Sequence, residues 1–190
     1  MDYPISGKAP DIAAAFVPHA LDDSGAARPV RAAAPGPVAA PAMLRATASP
    51  TVTTGSAYAA GNAVGGLLVF AGLARVAGQG GVLQTALLRD RSGNTAAYDL
   101  FLFDSAPAAP IDKTALALSS ADLAKCIAVV PLAGAALGAA AGMGVIAAGG
   151  LGLAYRLGSG TTLWGILVTR SAPSFAGATD LALDLVAMPD

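Results

Sequence analysis

With 55% of its 190 residues apolar and only 12% charged, against roughly 25% charged in an average domain, this chain has too little charge to clothe its whole exterior in water. It must cover part of its surface against other chains or lie in a membrane. The 11 basic and 12 acidic residues leave a net charge of −1, which excludes the positive field that DNA or RNA binding needs, and the single cysteine excludes an intrachain disulfide or a multi-cysteine zinc site.

The length suits one folded domain behind a distinct leading segment. Residues 1–50 hold most of the prolines, at Pro4, Pro10, Pro18, Pro29, Pro35, Pro37, Pro41 and Pro50. Proline removes an amide donor and pushes its predecessor toward extended conformations, so this stretch is expected to be an irregular or polyproline-like arm. One short helix fits Asp11–Val17, capped by Asp11 and stopped by Pro18. The first ten residues show no basic segment followed by an apolar one, so no secretory leader is expected, and the protein is expected to be made and kept in the cytoplasm until it joins an assembly.

From residue 51 a β pattern takes over and runs to residue 190. Leu67–Phe70 reads as a strand, with Leu73–Val76 as its continuation or the next short strand. Val82–Arg89 and Ala97–Phe103 read as two strands around the polar turn Asp90–Asn94, whose residues tolerate positive φ or bond their own backbone; the expectation is a hairpin. Ser119–Lys125 reads as one helical turn capped by Ser119 or Ser120, and Cys126–Leu132 as a strand that Pro131 ends or marks as an edge.

From Cys126 to Tyr155 no residue is charged. That length would admit a transmembrane helix, and Gly134, Gly138 and Gly142 have a helix-packing spacing. Pro131 and the glycines at 142, 144, 149, 150 and 152 cut the run, however, and favour a strand, a small-residue loop and a further strand through Tyr155. A second hairpin is expected at Gly158-Ser159-Gly160, leading into Thr161–Thr169, with Trp164 as a core anchor. After the loop 170–179, Leu181, Leu183 and Leu185 alternate with Ala182, Asp184 and Val186 in a closing strand.

No catalytic constellation emerges, so the chain is read as a non-enzyme with no catalytic, cofactor-binding or metal-binding residues. His19, the one histidine, lies in the proline-rich arm, remote from any scaffold for a triad. Asp90, Asp99, Asp104, Asp112, Asp122, Asp180 and Asp184 are scattered where turn and edge roles suit them better than paired acid and base work. Cys126 opens an apolar run, where a thiol behaves as a small core residue. The glycines at 78–81 lead into a strand, whereas a phosphate cradle leads into a helix.

Residues 58–66 (YAAGNAVGG), 80–107 (GGVLQTALLRDRSGNTAAYDLFLFDSAP), 122–130 (DLAKCIAVV) and 155–175 (YRLGSGTTLWGILVTRSAPSF), with the alternating strand that closes the chain, resemble small tailed-bacteriophage virion proteins of the head decoration or cement kind. The likeness covers residues 51–190 and rests on fold and packing motifs. The strand and turn pattern of residues 51–190 gives a mainly β protein, an antiparallel, jelly-roll-like β-sandwich behind the extended N-terminal arm of residues 1–50, and the likeness agrees with the sandwich. The likeness further implies a capsid-surface location, binding to the major capsid protein and homo-oligomers, trimers above all, because a shell offers threefold positions. Two other readings compete. A virion adhesin would recognise host glycan through the loops 105–114 and 171–179, although Phe175 is their only aromatic residue. A small membrane protein would span the bilayer within residues 126–155.

Overall fold

The computed structural model describes residues 19–21, 27–29, 42–94, 96–133 and 143–190. The chain divides into two units, Met1–Ala40 and Pro41–Asp190. In the first, strands β1 (His19–Leu21) and β2 (Ala27–Pro29) pair antiparallel, with His19 opposite Pro29. An irregular arm was the expectation for this stretch. The helix expected over Asp11–Val17 lies outside the described residues.

The second unit is built from β3 (Leu44–Ala48), β4 (Ala63–Phe70), β5 (Gly80–Asp90), β6 (Tyr98–Phe103), β7 (Cys126–Leu132), β8 (Gly144–Arg156), β9 (Leu163–Thr169) and β10 (Leu181–Pro189), with one helical turn, α1 (Ser120–Leu123). The strands form two antiparallel four-stranded sheets, ordered β3-β10-β5-β8 and β4-β9-β6-β7. Strand β3 falls inside the stretch expected to be an arm, so the boundary drawn after residue 50 cuts through a sheet. Leu44, Ala46 and Ala48 turn inward there, while Arg45 and Thr47 lie opposite Val186 and Asp184 of β10.

Both expected hairpins are corrected by the pairing. β5 pairs with β10 and β8, and β6 pairs with β9 and β7, so the turn at Asp90–Asn94 carries the chain from one sheet to the other. β8 and β9 likewise belong to different sheets, and Gly158–Gly160 links them across. The reason is local anchoring. Ser92 donates its backbone N–H to Asp90 Oδ1 at 2.8 Å, Arg91 N–H reaches Asp180 O at 2.8 Å, and Asn94 Nδ2 reaches Ser174 O at 2.9 Å, which ties the link to the β9–β10 loop. Every connection from β3 to β10 except β6–β7 crosses in this way.

One hydrophobic cluster draws on both sheets: Leu83, Ala86 and Leu88 of β5 and Leu183 and Leu185 of β10 meet Leu68 and Phe70 of β4, Leu100 and Leu102 of β6, and Leu167 of β9. Each such side chain, removed from water, contributes on the order of 1.5–3 kcal/mol. Two glycines are required by close approach. A Cβ at Gly165 would lie 2.9 Å from the Phe70 ring, and one at Gly80 would lie 1.9 Å from the carbonyl oxygen of Tyr155.

Several smaller expectations are also settled. Leu73–Val76 is loop rather than strand, with Leu73 buried. α1 is capped by Ser119, whose Oγ accepts from the Asp122 N–H at 3.0 Å. Strand β7 occupies Cys126–Leu132 with Pro131 on a sheet edge. The helical membrane span within residues 126–155 is overturned, because Cys126–Leu132 and Gly144–Arg156 are strands and the positions between them fall short of the roughly 20 residues a spanning helix needs. Among the described residues no helix is long and apolar enough to cross a membrane.

Candidate docking face and loop latch

The carboxylates singled out in the sequence are spread over the structure, each with a partner of its own. Asp90 accepts from Ser92, Asp104 from Ser105 Oγ at 2.7 Å, and Asp180 from the N–H groups of Ala176 at 3.1 Å and Gly177 at 2.8 Å. Asp99 pairs with Arg170, whose Nε donates to Oδ2 at 2.6 Å. Asp122 binds Ser119 Oγ at 2.8 Å and Lys125 Nζ at 2.9 Å, contacts that hold its carboxyl below the ordinary range, the lysine bond first. Asp184 is 1% exposed although it lies on the outward side of its sheet, because Arg45, Arg89 and Thr47 close over it. Among the described residues no three His, Cys, Asp or Glu side chains converge as a metal site would require.

Asp112 is the most heavily engaged of the seven. Its carboxylate accepts from the Thr53 N–H at 2.8 Å, Thr53 Oγ1 at 2.6 Å, the Tyr58 hydroxyl at 2.8 Å and the Gly65 N–H at 2.7 Å. Burial pushes its pKa up, but the hydrogen bonds from Thr53, Gly65 and Tyr58 outweigh that and leave it lowered. Tyr58 is 2% exposed, and burial followed by its bond to Asp112 raises its hydroxyl to about 12. Its ring meets Phe175 edge-on, centroids 5.4 Å apart, and Lys113 Nζ lies 5.6 Å from its centre. The constellation latches the loop before β4, the β6–β7 connection and the β9–β10 loop together. Phe175, the one ring available to a glycan-binding loop, is spent inside it and is itself 2% exposed.

Near this latch, a cleft of about 580 Å³ is lined by Gly55, Ser56, Ala57, Ser92, Ser174 and Phe175. Two of its three serine hydroxyls are already committed, Ser92 to Asp90 and Ser56 to Lys113. Two buried atoms have no hydrogen-bond partner among the described residues, Asp90 Oδ2 and the Tyr98 hydroxyl; burial, then the charge of Asp90, pushes the Tyr98 pKa up.

The outward side of the β4-β9-β6-β7 sheet is apolar in successive cross-strand rows. One row runs Leu67, Ile166, Phe101, Val129, and the next runs Val69, Trp164, Phe103, Cys126. Leu116 and Leu118 of the β6–β7 connection pack on part of this face. Val69 and Val129 are each 46% exposed, and Phe101 and Trp164 are half-buried. Trp164 was expected as a core anchor; it belongs instead to this outer layer, with Gly165 taking the inward place beneath Phe70. Cys126 is half-buried in the same layer, its thiol raised by burial, with Sγ 3.6 Å from Ala128 O.

Comparison with known protein families, curated proteins and solved structures finds no match to this chain.

Proposed function

We propose that the two sheets form a jelly-roll β-sandwich and that the protein is a structural component of a tailed-bacteriophage virion, a head decoration or cement protein that binds the major capsid lattice and stabilises the shell. The strand order carries this reading. Eight strands in the orders β3-β10-β5-β8 and β4-β9-β6-β7, linked by crossings between sheets, support it, since a jelly roll, the plan used by viral capsid domains, is built from eight strands in two antiparallel sheets. Lectins and cupins share that plan, so the fold alone does not choose among them. The apolar outer rows around Trp164 and Phe101 favour a module that docks by surface complementarity, and the burial of Phe175 under Tyr58 removes the ring a glycan site would stack on. In this reading the outer face packs copies into trimers at threefold positions, the leading segment reaches neighbouring coat subunits, and many modest contacts add up to firm attachment. Gradient-purified phage particles from cells carrying this gene, probed by mass spectrometry, test the proposal. The protein should co-purify in fixed stoichiometry to the major capsid protein; its absence from intact particles would overturn the assignment.

A further inference from the structure

The four lateral edges of the two sheets are not equivalent. At β3 the edge is short and carries Arg45, which is 59% exposed. Along β4 the β6–β7 connection covers the first residues, with Lys113 N–H to Ala63 O at 2.9 Å and Ala63 N–H to Thr114 O at 2.8 Å, and a bulge follows between Val64 and Leu67. In β7 Pro131 removes an amide donor. These are the devices by which sheets avoid pairing with other chains. β8 has neither charge nor proline between Gly144 and Tyr155, and among the described residues it pairs only with β5. Its irregularity comes late, opposite Leu83–Thr85, where Gly150 and Gly152 adopt positive φ; before it, Gly144–Gly149 stays in continuous register with Thr85–Asp90. Ala147 and Gly149 are exposed there.

We infer that the Gly144–Gly149 edge of β8 pairs antiparallel with the same edge of a second copy, joining two four-stranded sheets into one across a twofold axis. The occupant follows from the chemistry of the edge. Unpaired N–H and C=O groups call for another strand. At a twofold contact residue i meets residue j and j meets i, and a charge at the axis meets its own copy, so an edge free of charge escapes that self-repulsion wherever the axis falls. The part of the uncharged run that lies in β8 is thereby given a role at an interface. This contact is separate from the outer face of the other sheet and holds whichever particle, if any, the protein decorates.

Light scattering coupled to size exclusion tests it on the full chain, with Gly149→Lys as the disrupting variant. A Cβ at Gly149 meets no atom within 4 Å and its φ is ordinary, so the substitution leaves the fold intact. Ala71→Lys, on an exposed turn, supplies the same charge elsewhere. The wild type should show an even-numbered mass, Gly149→Lys half of it, and Ala71→Lys no change. Amide exchange at those positions of Gly144–Gly149 whose N–H faces away from β5 should slow at least tenfold between dilute and concentrated wild-type protein. An odd-numbered or monomeric wild type, a Gly149→Lys mass equal to wild type, or concentration-independent exchange would each overturn the inference. A half-mass that is itself a trimer leaves the proposed threefold contact standing, whereas a monomer removes it.

Discussion

Replacing Asp112 by alanine should free the β6–β7 connection from the loop before β4 and from β4 itself, because its one carboxylate receives hydrogen bonds from Thr53 and Tyr58 of that loop and from Gly65 of the strand. The Thr53 groups are exposed and recover most of their loss from water. The Tyr58 hydroxyl and the Gly65 N–H are partly withdrawn from water, and each such donor left without an acceptor costs about 1–3 kcal/mol. A destabilisation of about 3 kcal/mol follows, which in a domain of this size lowers Tm by roughly 6–12 °C. Urea and thermal melts of Asp112→Ala and Asp112→Asn beside wild type measure it. The pH dependence is a second check with a fixed sign. The folded-state pKa of Asp112 is lowered, so the carboxylate's contribution is fully present above its unfolded value of about 4 and is lost as pH falls through the folded value. The gap between wild type and Asp112→Asn should therefore narrow below about pH 4. A loss under about 1 kcal/mol for Asp112→Ala, or a gap that is as wide at pH 3 as at pH 7, would refute the latch.

Other substitutions probe other parts of the structure. Tyr98→Phe should be neutral or stabilising by about 1 kcal/mol in denaturant melts, since the hydroxyl it removes is buried without a partner among the described residues; a loss above about 1 kcal/mol would mean that the hydroxyl is satisfied. Deleting residues 1–40 should leave the β signal in circular dichroism and the Tm of the remaining domain nearly unchanged. Deletion through residue 50 should lower the Tm by several degrees, because it strips β3 and the Arg45 partner of buried Asp184. Gly165→Ala should cost on the order of 1–3 kcal/mol by overpacking against Phe70 and Leu100, as read from the shift in urea midpoint. Iodide should quench Trp164, the sole tryptophan, in the free protein and lose access to it on assembly.

Much of the strand pattern was legible because alternation marks a half-buried strand: Leu181, Leu183 and Leu185 point inward as their spacing says, and Leu100 and Leu102 do the same. What alternation lacks is the identity of the sheet. The residues of Asp90–Asn94 announce a reversal, yet the same turn chemistry serves a hairpin or a crossing, and only the anchors at Asp180 and Ser174, distant in sequence, decide between them. Trp164 went to the wrong side for a related reason. Leu163–Thr169 is apolar on both faces, so its period names no interior, and Gly165 was the one clue to the crowded side. β3 had a usable signal in Leu44, Ala46 and Ala48 alternating with Arg45 and Thr47, masked by the flanking prolines. The latch around Asp112 could not be read at all, since its members are spread over Thr53, Tyr58, Gly65 and Asp112 and meet only once the β6–β7 connection folds back over β4.

Cryo-electron microscopy of particles purified from cells that carry this gene tests the functional account most directly. The account predicts repeating two-sheet density on the outside of the capsid lattice, with the face bearing Trp164 and Phe101 covered by protein. Intact heads with a bare lattice, and the protein recovered instead in another cell fraction, would contradict it.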